Sequence, residues 1–308
     1  MAILRIQNLT KDYKMGFWGK RHRALDSLNL EVHEGEIFGF LGPNGAGKTT
    51  TIKILLRIIF PTSGTAWLLD QELGEAIQHH KIGYMPENPY FYRFLTGKEF
   101  LRFYARLAGL PHEDADKKAE HLLDLVGLNH AKKTRLAHYS KGMVTRVGLA
   151  QALITDPALL LLDEPMSGLD PIGRREIRDL ILELKERKKT IFFCSHILAD
   201  VEMLCDRIAI LNKGKLIQEG TVREIIASGE SDYVVSLDEV PEHLHPRLIE
   251  LAKRHEVIGG ILRLTTRDRD SAQAVAQMAV AGNARLIEVR PDRGTLEEYF
   301  VREVGNRE

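Results

Sequence analysis

Gly42-Pro43-Asn44-Gly45-Ala46-Gly47-Lys48-Thr49-Thr50 decides how this chain is read. The stretch fits Gly-x-x-x-x-Gly-Lys-Thr, the pattern of a phosphate-binding loop. Residues 36–41 before it read as a buried strand, and residues 51–59 after it read as a helix ended by Pro61. Glycines let the backbone curl with its N–H groups pointing inward, a nest for anionic oxygens. The following helix adds its positive N-terminal end. Lys48 can set an ammonium on the β and γ phosphates of a nucleotide, Thr49 can ligate Mg²⁺, and Thr50 can reach the α phosphate. A glycine-rich turn that only joins strand to helix would explain the glycines but not the Lys-Thr pair in this context.

The 308 residues suffice for two domains. Lys plus Arg and Asp plus Glu number 43 each, and this zero net charge argues against a dedicated nucleic-acid binder. Cys194 and Cys205, without a Cys-x-x-Cys spacing, make neither a disulfide framework nor a zinc site and read as small reduced thiols. Residues 1–6 already alternate as a strand, which predicts no signal peptide. No apolar run approaches membrane-spanning length.

Along the chain, residues 3–9 and 25–33 alternate as half-buried strands. The loop between them carries Phe17, Trp18 and the basic run 20–23, either a partner contact or a local cluster. Strands follow at 65–69 and 82–87. Thr96 with Glu99 has capping-box spacing and opens a helix to Leu107. Residues 113–126 form another helix, so a mainly helical insert occupies about 95–150. Leu159-Leu160-Leu161-Leu162-Asp163-Glu164 reads as a central parallel strand with its chemistry at the C-terminal end. Residues 174–188 read as a crossover helix and 190–194 as the next buried strand, followed by Ser195-His196. Asn212-Lys213-Gly214 is a hairpin signal. After Gly220 the order becomes β-α-β-β-α-β, the ferredoxin-like pattern, with a last helix over 295–304. The expected domains are therefore 1–220 and 221–308.

Two carboxylates at the end of one strand suit two tasks. Asp163 is placed to hold Mg²⁺, and Glu164 to orient and deprotonate a water facing the γ phosphate. His196, at the end of a neighbouring strand, can hydrogen-bond the γ phosphate. A strand-end turn and a structural histidine are the plainer readings, and the phosphate loop upstream weighs against both.

With these residues in view, positions 1–220 resemble the nucleotide-binding subunit of an ATP-binding cassette (ABC) transporter. Residues 42–50 match the phosphate loop of that family, and 159–164 its magnesium-and-base strand. Ser167-Gly168-Leu169-Asp170 matches its next loop, His196 its switch histidine and Tyr13 its adenine-stacking aromatic. Tyr139-Ser140-Lys141-Gly142-Met143 stands where the family carries Leu-Ser-Gly-Gly-Gln, with Ser140 and Gly142 kept. Glu87 replaces a frequent glutamine that touches Mg²⁺ and the attacking water.

The resemblance implies an α/β fold: a P-loop NTPase ABC ATPase core of mixed sheet plus helical subdomain, followed here by a small ferredoxin-like α+β domain for dimerisation or regulation. It implies ATP hydrolysis with ATP and Mg²⁺. Ser140, Gly142 and Asp170 would meet the nucleotide and surface of a second subunit, the simplest arrangement being a homodimer. A separate transmembrane permease would carry the substrate, with export indicated by the Glu87 and Tyr139–Met143 variants and with this chain at the cytoplasmic face of the membrane. Tyr90-Phe91-Tyr92-Arg93-Phe94 reads either as a docking surface for that permease or as a packed cluster. The alternative is a soluble cassette ATPase acting on the ribosome or DNA. Those usually carry two cassettes or a coiled-coil insert, and this chain shows neither. A non-hydrolysing regulator is disfavoured by Glu164.

Overall fold

The computed structural model describes residues 1–15, 20–74, 79–227, 232–291, 296–297 and 299–300. Phe17, Trp18 and most of the expected 295–304 helix lie outside the described residues. The chain divides into two compact units, Met1–Gly220 and Thr221–Glu308.

The first unit opens with a long hairpin, β1 (Ala2–Met15) and β2 (Lys20–His33), followed by β3 (Ile37–Leu41), α1 (Lys48–Leu55), β4 (Ser63–Leu68) and β5 (Gln71–Glu72). Next come β6 (Ile82–Met85), the helices α2 (Gly97–Leu107), α3 (His112–Leu125) and α4 (Lys141–Ala152), and β7 (Leu159–Asp163). The unit closes with α5 (Pro171–Glu186), β8 (Thr190–Ser195), α6 (Leu198–Leu204), β9 (Arg207–Asn212) and β10 (Lys215–Thr221). One sheet runs β2-β1-β4-β5 and a second β10-β9-β3-β8-β7-β6. In the second sheet β9, β3, β8, β7 and β6 pair in parallel. All residues of β3, β7 and β8 are buried, as continuous apolar runs in a covered parallel sheet require.

The core between the sheets gathers Leu4, Leu9, Leu28 and Ile52 with the rings of Phe38, Phe40 and Phe192. Phe192 stacks on Phe38 at 6.0 Å and meets Phe40 at 5.2 Å. Parallel register then aligns the site. Leu41 pairs with Ser195 and Asp163 with Cys194, so the C-terminal ends of β3, β7 and β8 lie level. The loops leaving them emerge at one edge of the sheet, where ligands of such folds bind.

The helical insert starts on the anticipated capping box. Glu99 N–H donates to the Thr96 hydroxyl at 3.3 Å, and Thr96 N–H donates to the Glu99 carboxylate at 2.8 Å. Its aromatic stretch divides. Phe91 is 7% exposed and packs edge-on against Phe100 at 4.6 Å, whereas Tyr90 is 90% exposed and Phe94 70%. One residue of the stretch is packed inward and its neighbours are exposed.

The second unit contains α7 (Val222–Ala227), β11 (Tyr233–Asp238), α8 (His245–Glu250), β12 (Arg254–Ile258), β13 (Ile261–Thr266), α9 (Arg269–Ala281) and β14 (Arg285–Pro291). Its antiparallel sheet runs β12-β13-β11-β14, the ferredoxin-like order. Val235, Leu237, Leu262 and Leu264 of the sheet pack with Leu248, Val275 and Ala279 of the helices.

Among the described residues no helix is long and apolar enough to cross a membrane. Both cysteines are free thiols, and burial pushes both well above the ordinary thiol range.

Candidate functional site

A cleft of about 470 Å³ lies at the edge where β3, β7 and β8 end. Residues 43–50 line it, together with Tyr13, His22, Ala24, Glu87, Glu164, Ser167 and His196. Gly42 stands just behind this lining, with Lys48 Nζ on its carbonyl. The helix after the loop begins at Lys48 inside the motif, earlier than the apolar pattern implies, and ends at Leu55. Its first-turn N–H groups therefore belong to the loop itself. Gly45 and Gly47 have φ of 82° and 115°, conformations that glycine adopts at least cost.

Lys48 is buried at the floor of the cleft. Its Nζ donates to the carbonyls of Gly42 at 2.6 Å and Pro43 at 3.3 Å and stands 3.4 Å from Glu164 Oε1. The other carboxylate oxygen of Glu164 lies 2.8 Å from His196 Nδ1. One glutamate thus bridges the lysine of the phosphate loop and the histidine after β8. Its backbone is left-handed, with φ of 51°, a conformation costing about 1–3 kcal/mol for a non-glycine residue. The Glu164 N–H bonds to the Cys194 carbonyl at 3.0 Å, which pins that turn.

Asp163 is buried beside it. Burial pushes its carboxyl above the usual range, and the negative charges of Glu164 and Glu87 add to this. A hydrogen bond from Thr49 and the charge of Lys48 act against them. Asp163 Oδ1 is fully buried without a hydrogen-bond partner. An orphaned carboxylate oxygen next to a hydroxyl is a hard-oxygen donor pair, which suits a magnesium ion completed by phosphate and water oxygens. Among the described residues no three His, Cys, Asp or Glu side chains form a metal cluster by themselves.

Besides Gly42 and Asp163, which are not among the residues lining the cleft, three sequence-derived candidates stand outside it. Ser140 is the N-cap of α4, its hydroxyl accepting from Met143 N–H at 3.3 Å. Gly142 lies in the first turn of the same helix, with open space where a side chain would be. Asp170 caps α5 by accepting from Gly173 N–H at 2.7 Å. The Lys141 side chain lies where a β-carbon on Gly168 would sit, so the start of α4 and the 167–170 loop form one continuous surface.

His22 and Ala24 line the cleft without having been assigned to the nucleotide from sequence, and Ser167, read from sequence as part of the loop that meets a second subunit, lines it too. The available signal was the strand register: His22 pairs with Tyr13 across the β1–β2 hairpin.

The family described as ABC transporter matches residues 25–167. An uncharacterised ABC transporter ATP-binding protein of Synechocystis is 44% identical over 308 residues, covering 99% of this chain and 85% of its own. The bacitracin transport ATP-binding protein BcrA of Bacillus licheniformis is 35% identical over 314 residues, 99% and 98% of the two chains. Among solved structures, an ATP-binding cassette dimer in a post-hydrolysis state with ADP and Pi matches with a TM-score of 0.62 and 26% identity. That match covers 71% of this chain and 99% of the other. CbiO1 of Clostridium perfringens, part of an ABC transporter complex, matches with a TM-score of 0.65 and 28% identity over 73% and 91%. The chain belongs to the ATP-binding proteins of ABC transporters and is an ATPase of that family.

Proposed function

We propose that two copies of this chain close head to tail over two ATP molecules and thereby drive export through a separate transmembrane permease. One observation carries the reading. The cleft gathers Lys48, Thr49, Glu164 and His196 but not Ser140, Gly142 or Asp170, which lie at the start of α4 and in the 167–170 loop, whose first residue Ser167 reaches the cleft. A half-site of this kind is completed by a neighbour's second half.

In this reading Tyr13 stacks on the adenine, and the N–H groups of residues 44–50 surround the phosphates, with Gly42 just past the strand behind them. Lys48 exchanges the carbonyls of Gly42 and Pro43 for β and γ phosphate oxygens. Thr49, Asp163 and Glu87 would hold Mg²⁺, whose charge would offset that of the phosphates. Glu164 takes a proton from the water that attacks the γ phosphorus, while the bond to the ADP oxygen breaks and phosphate leaves. His196 steadies both the Glu164 carboxylate and the γ phosphate. Ser140 and Gly142 cap the γ phosphate in the partner's cleft, and Asp170 meets the partner across the seam. Because only ATP supplies that γ phosphate, it favours the closed state over the open one.

The exposed Tyr90, Tyr92 and Phe94 are the surface we assign to the permease, which would hold the chain at the cytoplasmic face of the membrane. Transport as the output is supported by the bacitracin transport relatives. The second unit is assigned to dimer contact or regulation. Ser140→Arg tests the shared site: it should abolish hydrolysis while leaving ATP binding by the single subunit within about twofold. Normal turnover by this variant would contradict the reading.

A further inference from the structure

We propose that His22 is a second base-recognition residue, extending the aromatic shelf of Tyr13 so that the cleft selects a purine nucleotide over a pyrimidine one. The inference rests on the cleft being the ATP site. Tyr13 and His22 face each other across the β1–β2 hairpin, and both line the cleft. Directly opposed strand residues carry their side chains on the same face of the sheet, with β-carbons about 4.5–5.5 Å apart. A phenol ring and an imidazole ring are thus neighbours in the wall of the cleft.

The surroundings fix how a base is received. Lys11 Nζ lies 5.2 Å from the centroid of the Tyr13 ring and donates to the Phe60 carbonyl at 2.6 Å. A tethered cation therefore occupies one face of that ring and leaves the other for a base. Ala24, at the register shift of the hairpin, also lines the cleft and has only a methyl group, so the cleft floor stays low there. The carbonyl of Ala24 lies 2.6 Å from where a β-carbon on Gly47 would sit. The floor therefore runs without a break from the two rings to the phosphate loop. A fused two-ring base spans both side chains, whereas a single-ring base covers only one of them.

The test compares ATP, CTP and tripolyphosphate as displacers of a fluorescent nucleotide from the full chain. His22→Ala should weaken ATP about fivefold or more, the low end of the range for stacking a base on an aromatic residue. CTP should change less than twofold and tripolyphosphate not at all. His22→Phe, which keeps a flat ring, should restore ATP affinity. An unchanged ATP-to-CTP ratio in His22→Ala, or a His22→Phe variant as weak as His22→Ala, would overturn the proposal. Lys48→Ala should weaken all three probes. If it weakens none, the assignment of the cleft itself fails, whatever His22 does.

Discussion

Replacing Gly47 by alanine probes the phosphate loop where its geometry is tightest. Gly47 has φ of 115° and ψ of 0°. A residue with a β-carbon in left-handed backbone costs about 1–2 kcal/mol. The new methyl would also lie 2.6 Å from the Ala24 carbonyl and 2.7 Å from Leu25 Cδ2, well inside ordinary contact. Forcing an extra carbon into packed surroundings costs about 1–3 kcal/mol more. Gly47→Ala should therefore destabilise by roughly 2–5 kcal/mol. Gly45→Ala is the internal control: its φ is 82° but nothing lies within 4 Å of its β-carbon position, so only the backbone cost of about 1–2 kcal/mol remains. Equilibrium urea unfolding without nucleotide measures both. Trp18 and Trp67, the chain's two tryptophans, belong to the first unit, so their fluorescence reports that unit alone. The midpoint should fall further for Gly47→Ala at an unchanged slope. Equal losses in the two variants, or a Gly47→Ala cost below about 1 kcal/mol, would refute this account of the loop.

Two further outcomes follow from the same core and site. Asp163 ionises less readily in the fold than in the unfolded chain because burial and two neighbouring carboxylates oppose its charge. Below its unfolded value it is neutral in both states and costs nothing; as pH rises from there through its folded value, the nucleotide-free protein loses stability. Asp163→Asn should flatten that part of the pH–stability profile of the first unit, measured by thermal melting, and an unaltered profile would remove Asp163 as its source. Phe192→Ala empties the ring position between Phe38 and Phe40 and should cost about 3–5 kcal/mol in urea unfolding, as large aromatic truncations in cores do.

The elements most legible in the sequence were those whose signal is local. The run Leu159–Asp163 has no polar residue before its carboxylate, which suits only a strand covered on both faces. Thr96 and Glu99 carry their own geometry as a capping box, and the β-α-β-β-α-β order of the second unit is set by alternation and helix periodicity. Less legible was whatever depends on pairing between distant segments. His22 meets Tyr13 only through hairpin register, which the irregularities between Ile6 and Asp12 shift several times. Glu164 adopts left-handed backbone because Cys194, on another strand, accepts its N–H, and no local residue type announces this. The end of α1 was overextended because Ile58 and Ile59 continue an apolar pattern after the helix has stopped at Leu55. Arg57 beyond it has φ of 57°, which ends the helical path without a glycine or proline.

The central claim is that each cleft is half of a shared ATP site, and the most direct measurement is the mass of Glu164→Gln in solution by light scattering after size exclusion. Glutamine keeps the shape of Glu164 but cannot take the proton from water, so bound ATP should persist. The account predicts a dimer of the variant with ATP and Mg²⁺ and a monomer with ADP, the dimer being lost when Ser140→Arg is added. A Glu164→Gln protein that binds ATP and has the same mass with ATP as with ADP would contradict it.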